Sequence, residues 1–333
     1  MLGFEEYGFF LLKMVSVIAA ILIVWFGLVA ISSRAKRALR RGHLEIRALD
    51  QAFRQQKSIV EAHIFDKKEL KTRQKQVKKN QKSKKKQKNT NAAKHKIFVL
   101  DFAGDMSASG VSALRREVDA ILQVANSKKD EVLIKLESPG GTVVGYGLAA
   151  SQLDRLRQAG LKLTASVDKV AASGGYMMAC VANEIIAAPF AIIGSIGVIF
   201  QLPNFHTLLS KHGIEMEQVK AGEFKRTLTV FGKNTNDARD KVQDEVDGTH
   251  DLFKQFVSKH RSVVDIEQVA TGQYWYAEQA FDMHLVDQLQ TSDDYLLAKH
   301  RDKSCELFQI KWHTRQSLKK RFSQAAKAML LGV

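Results

Sequence analysis

The sequence predicts an α/β protein built around a mainly parallel β-sheet, and three observations support this. Short apolar runs rich in β-branched residues recur at 97–102, 131–137 and 161–167. Stretches with the apolar spacing of helices separate these runs, and this strand–helix–strand order gives right-handed parallel units. Glycine-rich loops follow two consecutive strands, at the sheet edge where ligands bind in parallel α/β proteins.

The individual elements begin at residue 96, where a polar stretch gives way to alternating apolar segments. We expect strands at Ile97–Phe102, Glu131–Glu137, Leu161–Val167, Glu184–Ala188 and Gln218–Ala221. We expect helices at Val111–Ala125 and Val144–Ala159, one beginning within Ser173–Val181, and an amphipathic one at His250–His260. Gly160 is the expected C-cap residue of the second helix.

Residues 8–31 form an apolar run that is long enough to cross a bilayer, which needs roughly 20 residues. Glu5 and Glu6 precede the run and a basic cluster follows it, whereas a cleaved signal peptide has a basic start and a shorter apolar stretch. We therefore expect a single transmembrane anchor within 1–33, with a signal peptide as the alternative. The basic cluster indicates a cytoplasmic C-terminal part, although long domains can translocate against this bias.

The formal charge of +16 is concentrated in one segment. Residues 67–96 carry +13, and residues 97–333 are neutral overall. A nucleic-acid-binding fold carries its basic patch on the domain itself, so we expect no nucleic-acid partner. We assign 34–96 to a basic juxtamembrane helix and linker, with helical spacing at 43–65. The linker is either solvated or held on anionic lipid, which makes the bilayer a partner.

The remaining boundaries place the main domain at 97–300 and a basic helical tail at 301–333. A second uncharged run, Ile185–Leu202, has the hydropathy of a membrane helix. Turn residues interrupt it at Pro189, Gly194 and Gly197, which favours buried strands over a second span.

Two cysteines, Cys180 and Cys305, stand alone in the sequence. Their separation indicates neither a disulfide framework nor a zinc site. We expect buried packing for Cys180, and no metal or other cofactor for the chain.

Ser173 is the candidate nucleophile. It lies in Val170-Ala-Ala-Ser-Gly-Gly-Tyr176, between a predicted strand and an apolar helix. The glycines leave room for a substrate, and the helix start presents free backbone N–H groups that would stabilise an oxyanion. Ser-Gly-Gly also occurs in ordinary turns, so this segment alone does not establish catalysis.

A second glycine loop, Glu137-Ser-Pro-Gly-Gly141, directly follows the preceding strand. Its backbone amides are candidates for the second oxyanion donor of a serine hydrolase. The alternative is an ordinary strand-to-helix turn.

A serine nucleophile requires a base, and none of the ten histidines lies in a suitable context near these loops. A lysine serves when desolvation and hydrogen bonding lower its pKa. Lys225 lies just past the predicted strand at 218–221; Lys220, Lys225 and Arg226 are all chemically available, and the residues alone do not choose among them.

Three motifs together resemble the serine–lysine peptidases of the signal peptide peptidase A family. They are Ala172-Ser-Gly-Gly-Tyr176, Gly194-Ser-Ile-Gly-Val198 and Gly222-Glu-Phe-Lys225. The peptidase part of the resemblance covers roughly residues 97–295. The N-terminal anchor, the polycharged linker and the short chain resemble the SohB branch of that family.

This resemblance implies a membrane-anchored endopeptidase of the bacterial inner membrane that cleaves peptides, including signal-peptide remnants or misfolded membrane proteins. It implies Ser173 as nucleophile, Lys225 as general base and Ser195 as the residue that orients the lysine. The amides of Gly141 and Gly174 would hold the oxyanion. The implied fold is a crotonase/ClpP-like superhelix of ββα units that assembles as a homo-oligomeric ring or dome.

Residues 274–289 resemble the C-terminal signature of the same family but carry His284 where we expect glycine, which puts the local turn in doubt. Other classes remain as alternatives: an inactive membrane scaffold on the same fold, an acyl-CoA enzyme of the crotonase type, and nucleic-acid binding through residues 67–96. The presence of Ser173, Ser195 and Lys225 together argues against the scaffold.

Overall fold

The computed structural model describes residues 42–66, 68–73, 75, 95–222, 225, 227–302 and 304–313. The expected anchor, most of the basic linker and the expected helix at 315–333 lie outside these ranges. Within them, no helix is both long enough and apolar enough to cross a membrane. The chain divides into a large unit, Ile46–Lys311, and a small unit made of Met1–Glu45 and Trp312–Val333.

Of the small unit, the structure describes only residues 42–45 and 312–313. His313 Nε2 lies 2.5 Å from a carboxylate oxygen of Glu45, and its ring stacks on His43 with centroids 5.2 Å apart. These contacts hold the two ends of that unit together.

Ten strands form two sheets. They are β1 (His43–Ala48), β2 (His95–Ala103), β3 (Glu131–Glu137), β4 (Lys162–Val167), β5 (Val170–Ala172), β6 (Glu184–Ala187), β7 (Ile192–Gly194), β8 (Tyr274–Tyr276), β9 (Gln288–Leu289) and β10 (Cys305–His313). The main sheet has the order β1-β10-β2-β3-β4-β6-β9, and its pairs from β10 to β9 are all parallel. In the small sheet, β7 lies between β5, which is parallel to it, and β8, which is antiparallel.

Helices accompany the strands, and those whose bounds are fully described follow here. They are α1 (Leu49–Ile64), α2 (Val111–Val124), α3 (Val143–Gln158), α4 (Gly174–Ala179), α5 (His206–Lys211), α6 (Asn236–His260), α7 (Ile266–Val269), α8 (Ala277–Asp282) and α9 (Ser292–Arg301).

The core lies around the central strands β2, β3 and β4. Strands of a parallel sheet are covered on both faces and therefore have nearly continuous apolar sequences, as Ile97–Leu100 does. Helix α2 buries Leu114, Val118 and Ile121 at the spacing of one helix face. The predicted α/β class with a large parallel sheet is confirmed, and the ββα superhelix stays a prediction.

Three predicted elements are wrong in type. Residues 43–48 form a strand, and the predicted helix begins only at Leu49. Residues 218–221 form no strand, because their one apolar β-branched residue, Val219, is 100% exposed and pairs with no strand. Residues 305–313, which we assigned to the helical tail, form strand β10 beside β2. The sheet therefore extends past the predicted boundary at residue 300.

The uncharged run Ile185–Leu202 contributes β6 and β7 and no helix, as its turn residues indicate. Ile185, Ile186 and Ile193 are fully buried in these strands. The hydropathy of the run therefore reflects burial in β6 and β7, whereas Phe190, Ile199 and Phe200 outside these strands are exposed.

Candidate active site

Ser173 occupies a strained turn between β5 and α4. Its φ of 52° and ψ of −118° are rare for a residue with a side chain and cost of order 1–3 kcal/mol. Two hydrogen bonds hold this turn: the Ser173 N–H donates to the Gly194 carbonyl at 2.8 Å, and the Met177 N–H donates to the Ser173 carbonyl at 2.9 Å. The half-buried serine therefore stands fixed at the end of a strand and the start of a helix.

The loop after β3 touches this turn. A Cβ atom added to Gly140, whose φ is +93°, would lie 2.8 Å from Ser173 Cβ and 2.9 Å from the Gly174 nitrogen. Real Cβ atoms do not approach so closely, so only glycine fits. The two glycine loops that the sequence placed at consecutive strand ends are in direct contact.

Three backbone amides are in question as oxyanion donors. The Gly140 N–H donates to Ser138 Oγ at 3.1 Å and is therefore occupied. The Gly141 N–H has no acceptor among the described residues. Gly174 is the first residue of α4, where a backbone N–H has no intrahelical partner. Gly141 and Gly174 stay a prediction as the oxyanion donors.

Ser195 lies beside Ser173 through the register of the small sheet. Ala172 on β5 pairs with Gly194 on β7, so the two serines directly follow paired residues. Ser195 is half-buried, has a φ of 51° and donates its N–H to the Gln273 carbonyl at 2.7 Å. Both serines thus leave their strands with a similar backbone twist.

Lys225 differs from the two serines in its exposure and its contacts. Its side chain is exposed, and its N–H donates to the Gly222 carbonyl at 3.2 Å. Within the described ranges, it makes no hydrogen bond to Ser173 or Ser195. Residues 223, 224 and 226 fall outside those ranges, Arg226 included. The geometry therefore brings the serine and the glycine loops into contact, and among the described residues no hydrogen bond links them to Lys225.

Sequence reasoning missed a buried hydroxyl network next to Ser173. Ser138 Oγ and the Tyr146 hydroxyl lie 2.5 Å apart, and Tyr146 donates to the Asp105 carbonyl at 2.9 Å. Both side chains are completely buried. Burial raises the pKa of the Tyr146 hydroxyl, which keeps it protonated. Ser138 stood in the quoted glycine loop, but nothing in the sequence pointed to Tyr146.

The C-terminal signature is held by a buried arginine. Arg261 is 6% exposed and donates to both carboxylate oxygens of Asp287, at 2.8 and 2.9 Å, and to the His284 carbonyl at 2.5 Å. Asp287 also accepts the Ile185 N–H at 2.7 Å. His284 has a φ of 59°, so the turn keeps the left-handed backbone of a glycine although histidine occupies it.

One group of side chains has the chemistry of a metal site. His95, Asp302 and Cys305 each offer a ligand atom, and these atoms all lie within 4.8 Å of one another. The register that pairs Cys305 with His95 brings them together at the amino-terminal edge of the sheet, away from Ser173. The Cys305 thiol already donates to the Lys299 carbonyl at 2.9 Å. Cys180, by contrast, is buried packing as expected.

Two models of one peptidase family match consecutive parts of the chain. The model described as Peptidase family S49 N-terminal matches residues 3–153, and the model described as Peptidase family S49 matches residues 155–306. Together they cover most of the sequence.

Curated relatives carry protease names. A protein named probable protease SohB from Haemophilus influenzae is 46% identical over 98% of this chain and 94% of its own length. A protein of the same name from Buchnera aphidicola of Acyrthosiphon pisum is 55% identical over 69% of this chain and 68% of its own. Protease 4 of H. influenzae is 28% identical over 59% of this chain and 34% of its own.

A solved structure of a variant of a membrane-bound stomatin-specific protease aligns with a TM-score of 0.42 and 14% identity. The alignment covers 62% of this chain and 85% of that one. At this distance the alignment carries no information about individual residues.

Proposed function

Because the chain belongs to peptidase family S49, as one of its SohB-type members, we propose that it is a membrane-anchored serine endopeptidase. In this proposal Ser173 is the nucleophile, Lys225 the general base and Ser195 the residue that orients the lysine. The amides of Gly141 and Gly174 hold the oxyanion. The alternative of an inactive scaffold has no structural observation in its favour.

The observation that carries the proposal is the Ser173 turn. A serine with positive φ that is followed by Gly174 and packed against Gly140 is energetically costly. Backbone strain of this kind collects at functional sites, where it fixes a reacting group in place. An ordinary strand-to-helix turn would require neither the positive φ nor the close glycine contact.

The proposed reaction follows the acyl-enzyme route. Ser173 Oγ attacks the scissile carbonyl carbon and passes its proton to the neutral amine of Lys225. The carbonyl oxygen becomes an oxyanion that accepts hydrogen bonds from Gly141 and Gly174. The protonated lysine then gives the proton to the leaving amine, and water hydrolyses the acyl-serine with Lys225 as base again.

The exposed position of Lys225 places a condition on this route. For proton transfer the amine must come within hydrogen-bond reach of Ser173 Oγ, about 2.6–3.2 Å. Catalytic hydrogen bonds often form only when a substrate is bound, so in this proposal the Lys225 amine comes within reach of Ser173 Oγ in the substrate complex. The hydroxyl of Ser195, which lies beside Ser173, then forms a hydrogen bond with the Lys225 amine and orients it.

We propose apolar peptides as substrates, including signal-peptide remnants and misfolded membrane proteins, with a single-pass anchor at 1–33 and a homo-oligomeric ring or dome in the bacterial inner membrane. The apolar run at 8–31 supports the anchor. On fractionation, the full-length protein should remain in the membrane pellet after washing with high salt. Release by salt would contradict the anchor.

Hydrolysis of a quenched fluorogenic peptide by the full-length protein in detergent tests the catalytic assignment. Ser173→Ala should abolish hydrolysis. Lys225→Ala and Lys225→Arg should both abolish it, because the guanidinium keeps the charge but cannot act as a base. Lys220→Ala, five positions upstream on the same exposed segment, is the matched control and should remain active. Activity in Lys225→Arg would reject the general-base role, and activity in Ser173→Ala would reject the nucleophile.

A further inference from the structure

We propose that Tyr146 is a positioning residue, which acts through Ser138 to hold the Gly140–Gly141 loop so that its amide faces Ser173. The inference rests on the proposed function. It adds a residue from helix α3 that contacts no reacting atom and that neither the motifs nor the family resemblance indicated.

The hydrogen bonds form a chain with one direction. The Tyr146 hydroxyl donates to the Asp105 carbonyl at 2.9 Å. It must then accept in its 2.5 Å contact with Ser138, so Ser138 Oγ–H is the donor there. Ser138 Oγ in turn accepts the Gly140 N–H at 3.1 Å. Each hydroxyl donates once and accepts once, so the conformation of the glycine loop depends on Tyr146.

The backbone of Ser138 ties this chain to the nucleophile strand. The Ser138 N–H donates to the Val170 carbonyl at 2.8 Å, and the Ala172 N–H donates to the Ser138 carbonyl at 3.0 Å. Val170 and Ala172 are the ends of β5, which leads directly to Ser173. One residue therefore joins the end of β3, the glycine loop and the nucleophile turn.

The ring of Tyr146 forms the floor under Gly174. A Cβ atom on Gly174 would lie 2.7 Å from both Cβ and Cδ2 of Tyr146. On the other side, a Cβ atom on Gly104 would collide with the hydroxyls of both Tyr146 and Ser138. The edge-to-face contact with Phe102, at 6.4 Å between centroids, restrains the ring further. A phenylalanine would keep this packing and lose only the hydroxyl.

Removal of the hydroxyl should therefore act on catalysis more than on packing. Ser138 would lose its acceptor and rotate, and the Gly140 N–H would lose the oxygen that orients it. The Gly141 amide would then drift from the oxyanion while the surfaces that bind the rest of the peptide stay in place. A misplaced oxyanion donor reduces kcat and leaves KM nearly unchanged.

The test uses the full-length protein and the same fluorogenic peptide, with a peptide aldehyde as the second probe. Ser173 Oγ adds to the aldehyde carbon, and the aldehyde oxygen then occupies the oxyanion position. Tyr146→Phe should lower kcat by about tenfold or more, below the 10²–10³ of a deleted donor, because the amide is displaced and not removed. The inhibition constant of the aldehyde should rise by a similar factor, with KM unchanged.

Tyr176→Phe is the matched control, since it removes another completely buried tyrosine hydroxyl, which donates to the Leu285 carbonyl at 3.1 Å. Its kcat should stay near the wild-type value. Ser138→Ala breaks the same chain at its other end and carries the same expectations should Tyr146→Phe fail to fold. The double variant should be no slower than the slower single variant, because both interrupt one pathway.

Wild-type kcat and aldehyde affinity in Tyr146→Phe or in Ser138→Ala would overturn the positioning role. A loss of activity with unchanged aldehyde affinity would also overturn it, because the oxyanion position would then be intact and the loss would have another cause. The Ser173→Ala variant separates the two proposals. If it is inactive while Tyr146→Phe keeps the wild-type kcat, only the positioning role fails; if it is active, the proposed function fails and takes this inference with it.

Discussion

The nucleophile turn and the segment that carries Lys225 are built in opposite ways. Around Ser173, glycines lie in contact with neighbouring backbone and every buried hydroxyl of the network is paired. From residue 211 to residue 222 every residue is exposed, and residues 214–222 form neither helix nor strand. Of the two partners of the proposed reaction, Ser173 therefore stands on a turn fixed by close contacts, and exposed Lys225 follows a stretch without helix or strand.

In the proposed mechanism, this difference separates oxyanion stabilisation from proton transfer. Oxyanion stabilisation requires donors that are fixed before the reaction, because their benefit comes from needing no reorganisation. A base on an exposed segment can instead move, which suits binding of an extended peptide before proton transfer. We expect the two regions to respond very differently to substitution.

The largest expected effect comes from adding a methyl group at Gly174, next to the nucleophile. Gly174→Ala places a Cβ atom against the Tyr146 ring, which cannot withdraw, and should cost about 3 kcal/mol or more of stability. Peptide hydrolysis should fall by about 100-fold, as for other small displacements of reacting groups. Thermal unfolding and initial rates measure the two effects.

Gly213→Ala is the counterpart in the exposed region. Gly213 has a φ of +69° but no atom within 4 Å of an added Cβ. Only backbone strain of about 1–2 kcal/mol should result. Equal losses of stability in the two variants would break the comparison.

A smaller effect should come from relieving backbone strain outside the proposed active site. Ser173 and His284 share a left-handed backbone, but His284 is exposed and lies away from the glycine loops. His284→Gly should stabilise the protein by about 1 kcal/mol, because glycine adopts this conformation freely. Thermal unfolding should show a rise in Tm of about 3 °C for a domain of this size.

Asp282→Gly, in the last turn of α8, is the control for this change. Asp282 is exposed and helical, so glycine there should destabilise by roughly 0.5–1 kcal/mol. A drop in Tm for His284→Gly as well would mean that the imidazole makes a contact that offsets the backbone strain.

The smallest effect is expected at Val219, which is 100% exposed. Val219→Ser should change the free energy of unfolding by no more than about 0.5 kcal/mol. Leu156→Ala, at a completely buried position of α3, should cost about 2–5 kcal/mol. Urea titration measures both changes. A cost at Val219 that approaches the cost at Leu156 would show that the segment is covered in solution.

The sequence predicts the fold well where local pattern and burial agree. The strand at Glu131–Glu137 and the helix at 111–124 follow from apolar runs and helix-face spacing. The strand at 305–313 was missed, because its pairing with β2 depends on residues far away in the chain and a basic stretch follows it. At Val219 the opposite error occurred, because a strand was predicted at 218–221 and is absent. An apolar residue forms a strand only where a partner strand exists.

The residues of the candidate site are likewise only partly predictable from the sequence. The glycine loops and Ser173 are recognisable because two glycine loops at consecutive predicted strand ends are more informative than either loop alone. The Tyr146 network is not, because Asp105 and Tyr146 lie 41 positions apart and meet only through the register of β2 and β3. Its one local signal is a serine directly before Pro139 and the two glycines.

The place of β10 in the sheet has a consequence for how the chain folds. This strand pairs with β2, and its Gln309 donates to the Asp101 carboxylate at 2.6 Å, although the two residues are 208 positions apart. During synthesis, the edge of β2 remains uncovered until nearly all of the domain has left the ribosome. Contacts of such long range slow folding and leave strand edges exposed to aggregation. A newly made chain therefore depends on its final strand to close the sheet, and truncation before residue 305 would leave the β2 edge permanently open.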